Sequence, residues 1–561
     1  MKLNNIWGYG QLFGFSAIEG PNRYYDDFVG TLTNRKIEIR FELIEWVKIY
    51  FPFNNIVLKS VMSDFIEGTS PNGDFFITFA DNDTLVGYSP VVPRIHGERD
   101  IAHSVSWDID IYSTNHDYFG VALKKEKSIY KFAIHHSFSL TEARSGANRF
   151  INVDIESLRE KRYAYYKQMP KCKNDKYEML YYKALSVNKV NVHSPEGNIK
   201  CLWTTPDRVP HRHMWLWDSV FHALSFLTYN KDIAKSAIEA VISQQREDGF
   251  IAHMANPTDI SDITQPQVLS WGVWEVYKKT KDIDFLRRNV DKLDKYLSWD
   301  IKNRDNNNNG LLEWFTEPDY DKCKCGESGL DNSPRFDFDV EMDAIDFSTF
   351  SARDAKYLSY IYKELNNQEK ANEWMNYYEE IKKKINVLMW DEETGAYYDR
   401  LFTGELTKVI TPASFLPMFA EIPSIEQAKK MVKMLTRTDL LWTPFPVSTI
   451  ESRDKSYSTD MWRGGAWLNL NYFVIKGLLN YGYYELANEL KDKTLKNVNE
   501  WFEKTGVIYE FYDSQNKVPP YKCDRKGQQP LNPDWRVHVH SISDFNWSSC
   551  FVILFIQNEL Y

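Results

Sequence analysis

The sequence has no long apolar run, few cysteines and no concentration of positive charge. No stretch approaches the roughly 18 apolar residues of a membrane-spanning helix, so we expect no membrane association. The opening MKLNNIWGYGQLFGFSAIEG lacks the continuous apolar segment of a secretory signal peptide. The net charge is −10, and no basic stripe is present that would bind a phosphate backbone. We therefore expect no nucleic-acid partner.

Cysteine is scarce, with six residues in a chain of 561. So few cysteines do not form a disulfide framework, and reduced thiols predict a cytoplasmic protein. Cys323 and Cys325 resemble half of a metal site, but no second Cys/His pair with zinc-finger spacing accompanies them. We therefore predict no metal centre and no cofactor.

Aromatic residues, in contrast, are abundant at 15% of the chain, including 18 tryptophans. They are typical either of a large aromatic core or of a sugar-binding site, where flat rings stack on pyranose faces. Composition alone does not choose between the two.

The chain length indicates about two to four domains. Residues 1–152 alternate in polarity, as in FFITFADNDTLVGYS (75–89) and YFGVALKKEKSIYKFAIHHSF (118–138), which predicts a β-sandwich domain. The period then changes, and residues 153–561 carry apolar residues at helical spacing. Examples are Ile233, Ala237, Ile238, Val241 and Ile242, then Leu286, Val290, Leu293 and Leu297.

The helical region has room for roughly a dozen helices, and glycines at 477 and 482 indicate a break between the last ones. An α-toroid of paired helices, with loops gathered at one mouth, fits this count. No sequence repeat supports it directly. The overall prediction is a mainly α protein with an N-terminal β-sandwich.

Four clusters rich in Trp, Asp, Gly and Pro lie between the helices, and long loops of this kind are usually functional. The first is HRHMWLWDSVFHA (211–223), where Asp218 lies in the first turn of a predicted helix beside Trp215 and Trp217. Asp218 is either a pocket carboxylate or an acid favoured by the helix dipole. In the second cluster (244–277), Gln265 and Trp271 are candidates to line a cleft. An ordinary polar loop residue is an equally good interpretation of Gln265.

The third cluster is CGESGLDNSPRF (325–336). Its glycines and proline explain a tight turn, but Asp331 is open to two interpretations, a solvated loop carboxylate or half of a catalytic pair. The fork of Arg335 suits a carboxylate or a sugar hydroxyl. In the fourth cluster (461–478 and 506–516), Glu510 lies among aromatic residues. Burial there would tune its proton affinity, although a surface strand is the alternative.

WLWDSVFHA, QREDGFIAH, TQPQ, ESGLDNSPRF, WRGGAWLNLNY, YEFYD and FNWSS occur in this order. The ordered set, over roughly residues 200–555, resembles glycoside hydrolase family 63, which includes processing α-glucosidase I and mannosylglycerate hydrolases; trehalases are more distant relatives. The resemblance implies an (α/α)6 barrel and hydrolysis with inversion. It implies that Asp331 is the general acid and Glu510 the general base.

The same resemblance implies a sugar pocket. The candidate substrate-binding residues are Trp215, Trp217, Asp218, Gln265, Trp271, Asn332, Arg335, Trp462 and Arg463. Gly465 and Ala252 stand where the family commonly has proline, which we expect to affect loops and substrate preference rather than chemistry.

Such a mechanism requires one carboxyl group that holds a proton near neutral pH, so we expect a raised pKa for Asp331. The second carboxylate, Glu510, would activate water on the opposite face of the sugar. Inversion requires about 6.5–9.5 Å between the two groups.

Two alternative functions stay open. A sugar phosphorylase on the same architecture would replace Glu510 by bound phosphate, and a non-catalytic carbohydrate-binding protein would bind without turnover.

A calcium site is a further open alternative. RDNNNNGLLEW (304–314) matches the first half of a calcium loop at Asp305, Asn307 and Asn309, but Thr316 stands where a bidentate Glu belongs. We expect a carbohydrate as the partner, and both a monomer and a homo-oligomer stay open.

Overall fold

The computed structural model describes residues 10–24, 30–32, 37–41, 47–97, 101–106, 108–317, 319, 323–527 and 540–560. Its N-terminal part contains two antiparallel sheets. The smaller sheet has the order β1-β2-β3-β4-β9, formed by Gln11–Phe13, Gly30–Leu32, Glu38–Phe41, Val47–Tyr50 and Arg94–Gly97. The larger sheet has the order β10-β11-β12-β13-β8-β7-β6-β5, formed by Ala102–Ser106, Ile109–Ser113, Tyr118–Glu126, Ile129–Ser137, Thr84–Ser89, Gly73–Asp81, Phe65–Ser70 and Val57–Val61.

The two sheets share one apolar core. Ile39 and Ile49 of the smaller sheet belong to the same buried cluster as Ile77, Phe132 and Ile134 of the larger one. Side chains alternate between the two faces of a strand, so the alternating sequence pattern gives each sheet one apolar face. The antiparallel sheets predicted for the N-terminal region are confirmed.

Helices predominate after residue 139. In chain order they are α1 Leu140–Phe150, α2 Ile155–Lys167, α3 Glu178–Val190, α4 Leu216–Phe226, α5 Lys231–Ile242, α6 Leu269–Thr280, α7 Ile283–Asn303, α8 Ile345–Glu364, α9 Gln368–Leu388, α10 Leu416–Phe419, α11 Ile425–Leu435, α12 Leu468–Asn480, α13 Tyr484–Thr505 and α14 Asn546–Gln557. The predicted break near residue 482 separates α12 from α13, where Gly482 has a φ of +80°.

Five short two-stranded ribbons lie among the loops of the described residues. Their strands are β14 Val192–His193 with β15 Trp203–Thr204, β16 Met214–Trp215 with β17 Met254–Ala255, β18 Met342–Asp343 with β21 Arg400–Leu401, β19 Trp390–Asp391 with β20 Ala396–Tyr397, and β22 Gly465–Ala466 with β23 Tyr512–Asp513. The strands of two of these ribbons, β16–β17 and β22–β23, lie within the clusters rich in Trp, Asp, Gly and Pro.

From α4 onward the helices fall into two kinds. α4, α6, α8, α10, α12 and α14 contact one another in succession, and α14 contacts α4, so that they close a ring. α4 and α14 are buried on every side. In contrast, α5, α7, α9, α11 and α13 each have one apolar face and one polar, exposed face, which is the pattern of helices that pack on the outside of such a ring. None of the helices in the described ranges is long and apolar enough to span a membrane.

The buried helix α3 connects the sheets to the ring. Lys189 on α3 forms ion pairs with Glu19 and Asp64 of the N-terminal part, at 2.6 Å each. Lys183, in an earlier turn of the same helix, pairs with Asp544 at 2.6 Å. Asp544 also accepts a hydrogen bond from the Leu12 backbone N–H. The N-terminal sheets are thereby attached to the segment that precedes α14.

Candidate active site

The loop that carries Glu510 begins where α13 ends. Gly506 ends α13 with a φ of +72°, a conformation that suits glycine. The Glu510 backbone N–H then donates to the Ile542 carbonyl at 2.9 Å, and the Ser548 hydroxyl donates to the Glu510 carbonyl at 3.1 Å. These bonds fix the loop against the segment 540–548, which leads into α14.

The Glu510 side chain is buried and accepts two hydrogen bonds. Its Oε2 lies 3.1 Å from Arg525 Nε and 3.3 Å from the Ile542 backbone N. Arg525 Nη2 is in turn 2.7 Å from His211 Nε2, and His211 Nδ1 is 2.8 Å from the Asp207 carboxylate. Because arginine only donates, His211 Nε2 accepts and its Nδ1–H donates to Asp207. His211 therefore connects Asp207 to the arginine that contacts Glu510.

The loop that carries Asp331 is held by short 3₁₀ turns at Gly326–Ser328 and Pro334–Phe336. Gly329 has a φ of +68°, and a Cβ there would lie 2.5 Å from the Trp217 ring, so this position requires glycine on both grounds. Glu327, fully buried, accepts hydrogen bonds from the Arg304 guanidinium and from the Thr264 backbone N–H. The loop is thus anchored to its neighbours through Glu327.

Asp331 itself forms an ion pair. Its Oδ2 lies 2.7 Å from Lys526 Nζ, and the two side chains are 20% and 27% exposed. Burial raises the pKa of Asp331, but the Lys526 ammonium, the Arg525 charge and a hydrogen bond with Cys323 together lower the pKa below its usual range. The predicted raised pKa of Asp331 is therefore wrong for the free protein, because the sequence did not reveal Lys526 as its neighbour.

Asp331 and Glu510 line the same cavity, whose empty space of about 400 Å³ includes a part that is open to solvent. Its walls are largely aromatic. The residues that line it are Pro206, His211, Trp215, Trp217, Asp218, Gln265, Gly329, Asp331, Met461, Trp462, Trp467, Glu510, Arg525, Phe545 and Trp547. Seven of the predicted site residues are among them.

The aromatic wall offers hydrogen-bond donors. Trp462 stacks on Trp467 with ring centroids 3.6 Å apart, while Trp217 and Trp547 meet edge to face. The indole N–H groups of Trp215, Trp462 and Trp547 are buried and have no acceptor within the described part of the chain. The cavity wall therefore combines flat apolar rings with indole groups whose N–H is unpaired among the described residues.

Asp218 lies in the first turn of α4 and lines the cavity. Burial raises the pKa of its carboxyl well above the usual range, and the negative charges of Glu510 and Asp207 add to that rise. A protonated Asp218 is both a donor and an acceptor. Gln265 accepts a hydrogen bond from the Trp217 backbone N–H at 3.1 Å, so it also fixes the start of α4.

Four predicted site residues do not line the cavity. Trp271 is buried on α6 among Phe419, Tyr472 and Phe473. Arg335 is buried in ion pairs with Asp346 and Asp399. Arg463 pairs with Asp337 at the surface.

The fourth, Asn332, accepts a hydrogen bond from the Trp462 backbone N–H at 3.2 Å. It joins the Asp331 loop to the turn Met461–Arg463, although its side chain does not reach the cavity wall. Arg335 likewise stabilises the end of the same loop. These residues support the loops that line the cavity.

The cations next to the two carboxylates were not predicted from the sequence. Arg525 and Lys526 contact the two candidate catalytic carboxylates, and His211 holds Arg525. His211 was visible in the HRH triplet of the first cluster. Nothing in the local pattern of DRKG (524–527) indicated that it lies against both carboxylates.

The calcium alternative gains no support. The Asp305 carboxylate accepts the backbone N–H groups of Asn309 and Gly310, while the Asn307 and Asn309 amides donate to Asp343. Over the described ranges there is no group of three or more His, Cys, Asp or Glu placed to hold a metal ion. An Asn-rich turn closed by its own hydrogen bonds accounts for this loop.

Comparison with known proteins places this geometry in a family. The model of the mannosylglycerate hydrolase MGH1-like glycoside hydrolase domain matches residues 211–548. Mannosylglycerate hydrolase MGH1 of Selaginella moellendorffii is 25% identical over 394 residues, covering 55% of this chain and 77% of that protein. The chain spans between 63% and 77% of the length of the first curated relatives that it matches.

Solved structures agree on the fold. The family 63 mannosylglycerate hydrolase of Thermus thermophilus, in complex with glucose, has a TM-score of 0.54 at 23% identity, covering 67% of this chain and 99% of that one. A bacterial glucoamylase in complex with acarbose has a TM-score of 0.60 at 12% identity and covers 100% of this chain and 97% of that one. The family model spans more than half of the chain, so the protein belongs to the MGH1-like glycoside hydrolases of family 63 and is a glycosidase.

Proposed function

We propose that the protein hydrolyses α-linked glucosides or mannosides with inversion of configuration, with Asp331 as general acid and Glu510 as general base. The substrates are short oligosaccharides or glycosides of the glucosyl- or mannosylglycerate type. The observation that carries the proposal is that these two carboxyl groups, from loops far apart in the chain, line one aromatic cavity. The cavity is walled by flat rings of the kind that pack against pyranose faces.

The surroundings of Glu510 support the role of base. Two donors, Arg525 Nε and the Ile542 N–H, hold one oxygen of the Glu510 side chain in a fixed position. As a carboxylate, Glu510 would take a proton from the attacking water. The acid Asp331 would protonate the glycosidic oxygen from the other side, so that the bond to the aglycone breaks as the bond to water forms.

The cavity chemistry supports a hydroxyl-rich sugar. Three indole N–H groups have no acceptor among the described residues, and a protonated Asp218 would add a further donor. Sugar hydroxyls accept and donate, so they would satisfy these groups. The same donors would be left unpaired by an apolar ligand, which is costly in a buried site.

The cations support an anionic aglycone. Arg525 and Lys526 bring two positive charges to the acid and base. Relatives are named mannosylglycerate hydrolases, and glycerate carries a carboxylate. We therefore favour a glycoside of a small hydroxy acid over a neutral disaccharide.

We further propose an (α/α)6 barrel that follows an N-terminal β-sandwich. The closed ring of α4, α6, α8, α10, α12 and α14 with amphipathic helices outside supports an (α/α)6 barrel. We divide the chain into a β-sandwich domain, residues 1–152, and a catalytic domain, residues 153–561. The six cysteines are free thiols, which supports a cytoplasmic location.

The test is a substrate panel. Purified protein is incubated with α-linked glucose and mannose disaccharides and with glucosyl- and mannosylglycerate, each with and without inorganic phosphate, and released sugar is measured. The proposal expects release without phosphate, lost in both Asp331→Asn and Glu510→Gln. Release only with phosphate would identify a phosphorylase, and binding of a sugar without any turnover would identify a carbohydrate-binding protein.

A further inference from the structure

The ion pair between Lys526 and Asp331 is at odds with the role of Asp331. A general acid must carry a proton, whereas Asp331 Oδ2 accepts a charged hydrogen bond from Lys526 Nζ at 2.7 Å. The Lys526 charge stabilises the carboxylate and so favours loss of the very proton that catalysis needs. The free protein therefore holds its acid in the unproductive form.

The Lys526 backbone is fixed, but its side chain is not enclosed. The backbone N–H groups of Lys526 and Gly527 donate to the two carboxylate oxygens of Asp460, at 2.8 Å each. Beyond this anchor, the side chain is 27% exposed, and its Nζ lies 2.7 Å from the carboxylate of Asp331, which lines the cavity. An ammonium on a flexible stem can turn to another anion nearby at little cost.

We propose that Lys526 is a specificity-determining residue that pairs with Asp331 in the free enzyme and turns to the negatively charged aglycone when substrate binds. This inference rests on the proposed function. Once the ammonium has moved to the aglycone carboxylate, Asp331 takes up a proton from solvent and then donates it to the glycosidic oxygen. A neutral aglycone does not attract Lys526, so Asp331 stays ionised and the substrate is turned over poorly.

The other charged and titratable groups around Asp331 do not replace Lys526. Arg525 interacts with Asp331 at longer range and is already bound to Glu510 and His211. Burial raises the pKa of Cys323 to about 12, so this thiol is neutral. Burial lowers the pKa of His253 to about 4, so this ring is neutral too. Lys526 is therefore the charge whose movement changes the state of Asp331.

The test compares Lys526→Gln with the unaltered enzyme on two substrates that share the sugar, a glycoside of glycerate and a methyl glycoside. As pH rises, Asp331 loses its proton and the rate falls. For the glycerate substrate and the unaltered enzyme, kcat/KM should fall at a lower pH than kcat, because kcat/KM reports the free enzyme and kcat reports the enzyme–substrate complex. In Lys526→Gln the alkaline fall of kcat/KM should move to higher pH and coincide with the alkaline fall of kcat. The ratio of kcat/KM for glycerate over methyl substrate falls about tenfold.

Lys324→Gln is the matched control. Lys324 is a neighbouring lysine that pairs with Asp339 instead of Asp331, so its loss should leave both pH limbs and the substrate ratio unchanged. Lys526→Arg keeps the charge and should restore the separation of the limbs. Should the glutamine variant not fold, Lys526→Met serves the same comparison.

Unchanged pH limbs and an unchanged substrate ratio in Lys526→Gln would overturn the inference. That failure differs from failure of the proposed function. If the unaltered enzyme hydrolyses glycosides and Lys526→Gln shows the same pH profiles and substrate ratio, only the role of Lys526 is wrong. If the unaltered enzyme hydrolyses nothing in the panel, the proposed function itself is wrong.

Discussion

The two candidate catalytic carboxyl groups have similar partners but different surroundings. Each pairs with one of two consecutive cations, Glu510 with Arg525 and Asp331 with Lys526. The Glu510 side chain is 4% exposed and its partner 12%, whereas Asp331 and Lys526 are 20% and 27% exposed. Arg525 also donates a hydrogen bond to His211. Among the described residues, the Lys526 ammonium has no comparable second hydrogen bond to a side chain.

This difference follows from what each group must do. A base that activates water keeps one charge state until it reacts, and a rigid, twice-donated carboxylate suits that task. An acid must gain and lose a proton in every cycle, so its partner has to be able to leave. The buried pair of Glu510 and Arg525 therefore suits the base of the proposed mechanism, and the more exposed pair of Asp331 and Lys526 suits the acid.

The largest expected effect distinguishes acid from base by the leaving group. Glu510→Gln should lower kcat at least about 10³-fold on both a natural glycoside and the corresponding α-glycosyl fluoride, because both need activated water. Asp331→Asn should lose a similar factor on the glycoside but retain most activity on the fluoride, since fluoride leaves without protonation. Steady-state rates on the two substrates decide, and the reverse pattern would exchange the two roles.

Arg525 tests the rigidity of the base. Arg525→Gln leaves Glu510 and His211 without their shared partner and should lower kcat about 10²-fold and unfolding free energy by about 2 kcal/mol. Arg525→Lys should recover little, because one ammonium cannot bridge both groups. Arg288→Gln is the control: Arg288 binds Glu239 on an exposed surface, where loss of a pair costs under about 1 kcal/mol. Equal losses from the two glutamine variants would contradict the account.

Gly329 tests how closely the acid loop approaches the cavity wall. Gly329→Ala adds a Cβ 2.5 Å from the Trp217 ring at a φ of +68°, so we expect a loss of about 2–3 kcal/mol and a lower kcat/KM. Gly482→Ala has a similar φ of +80° but no atom within 4 Å of its Cβ. It should cost only about 1 kcal/mol, with activity unchanged. Chemical denaturation separates the strain that both share from the clash that only Gly329→Ala creates.

The smallest effect is a pH dependence at Asp218. Its pKa is raised in the fold, so between the ordinary pKa of about 3.9 and the raised value the folded protein keeps a proton that the unfolded chain releases. Stability from this group therefore falls as pH rises. An asparagine at this position does not titrate, so the variant does not lose stability in this way. The Tm of Asp218→Asn minus the Tm of the unaltered protein should therefore increase by about 1–2 °C from mildly acidic to neutral pH. A constant difference in Tm would show that Asp218 is ionised in the fold.

Helical spacing predicted much of the framework. The apolar positions cited for α5 and α7 are all buried, because residues at this spacing lie on one face of a helix and that face packs inward. Trp271 shows the limit of that reasoning. It belongs to the buried face of α6, but a tryptophan beside a functional cluster is compatible with either core or cavity.

The candidate site was predictable only where motifs carry it. Asp331 and Glu510 came from the ordered motifs and the resemblance, and the structure brings them to one cavity. The ionic partners could not be predicted, since Arg525 is far from His211 in sequence and meets it only through the fold. The wrong expectation of a raised pKa for Asp331 has the same origin: the loop sequence shows the acid but not the lysine that faces it.

The stereochemistry of the first product molecules tests the central claim most directly. An α-linked substrate that the panel shows to be cleaved is mixed with enzyme in an NMR tube, and proton spectra are collected before mutarotation equilibrates the anomers. Inversion by Asp331 and Glu510 predicts the β-anomer as the initial product. Initial release of the α-anomer would show retention, which requires a covalent intermediate and would contradict the assignment of Glu510 as a base.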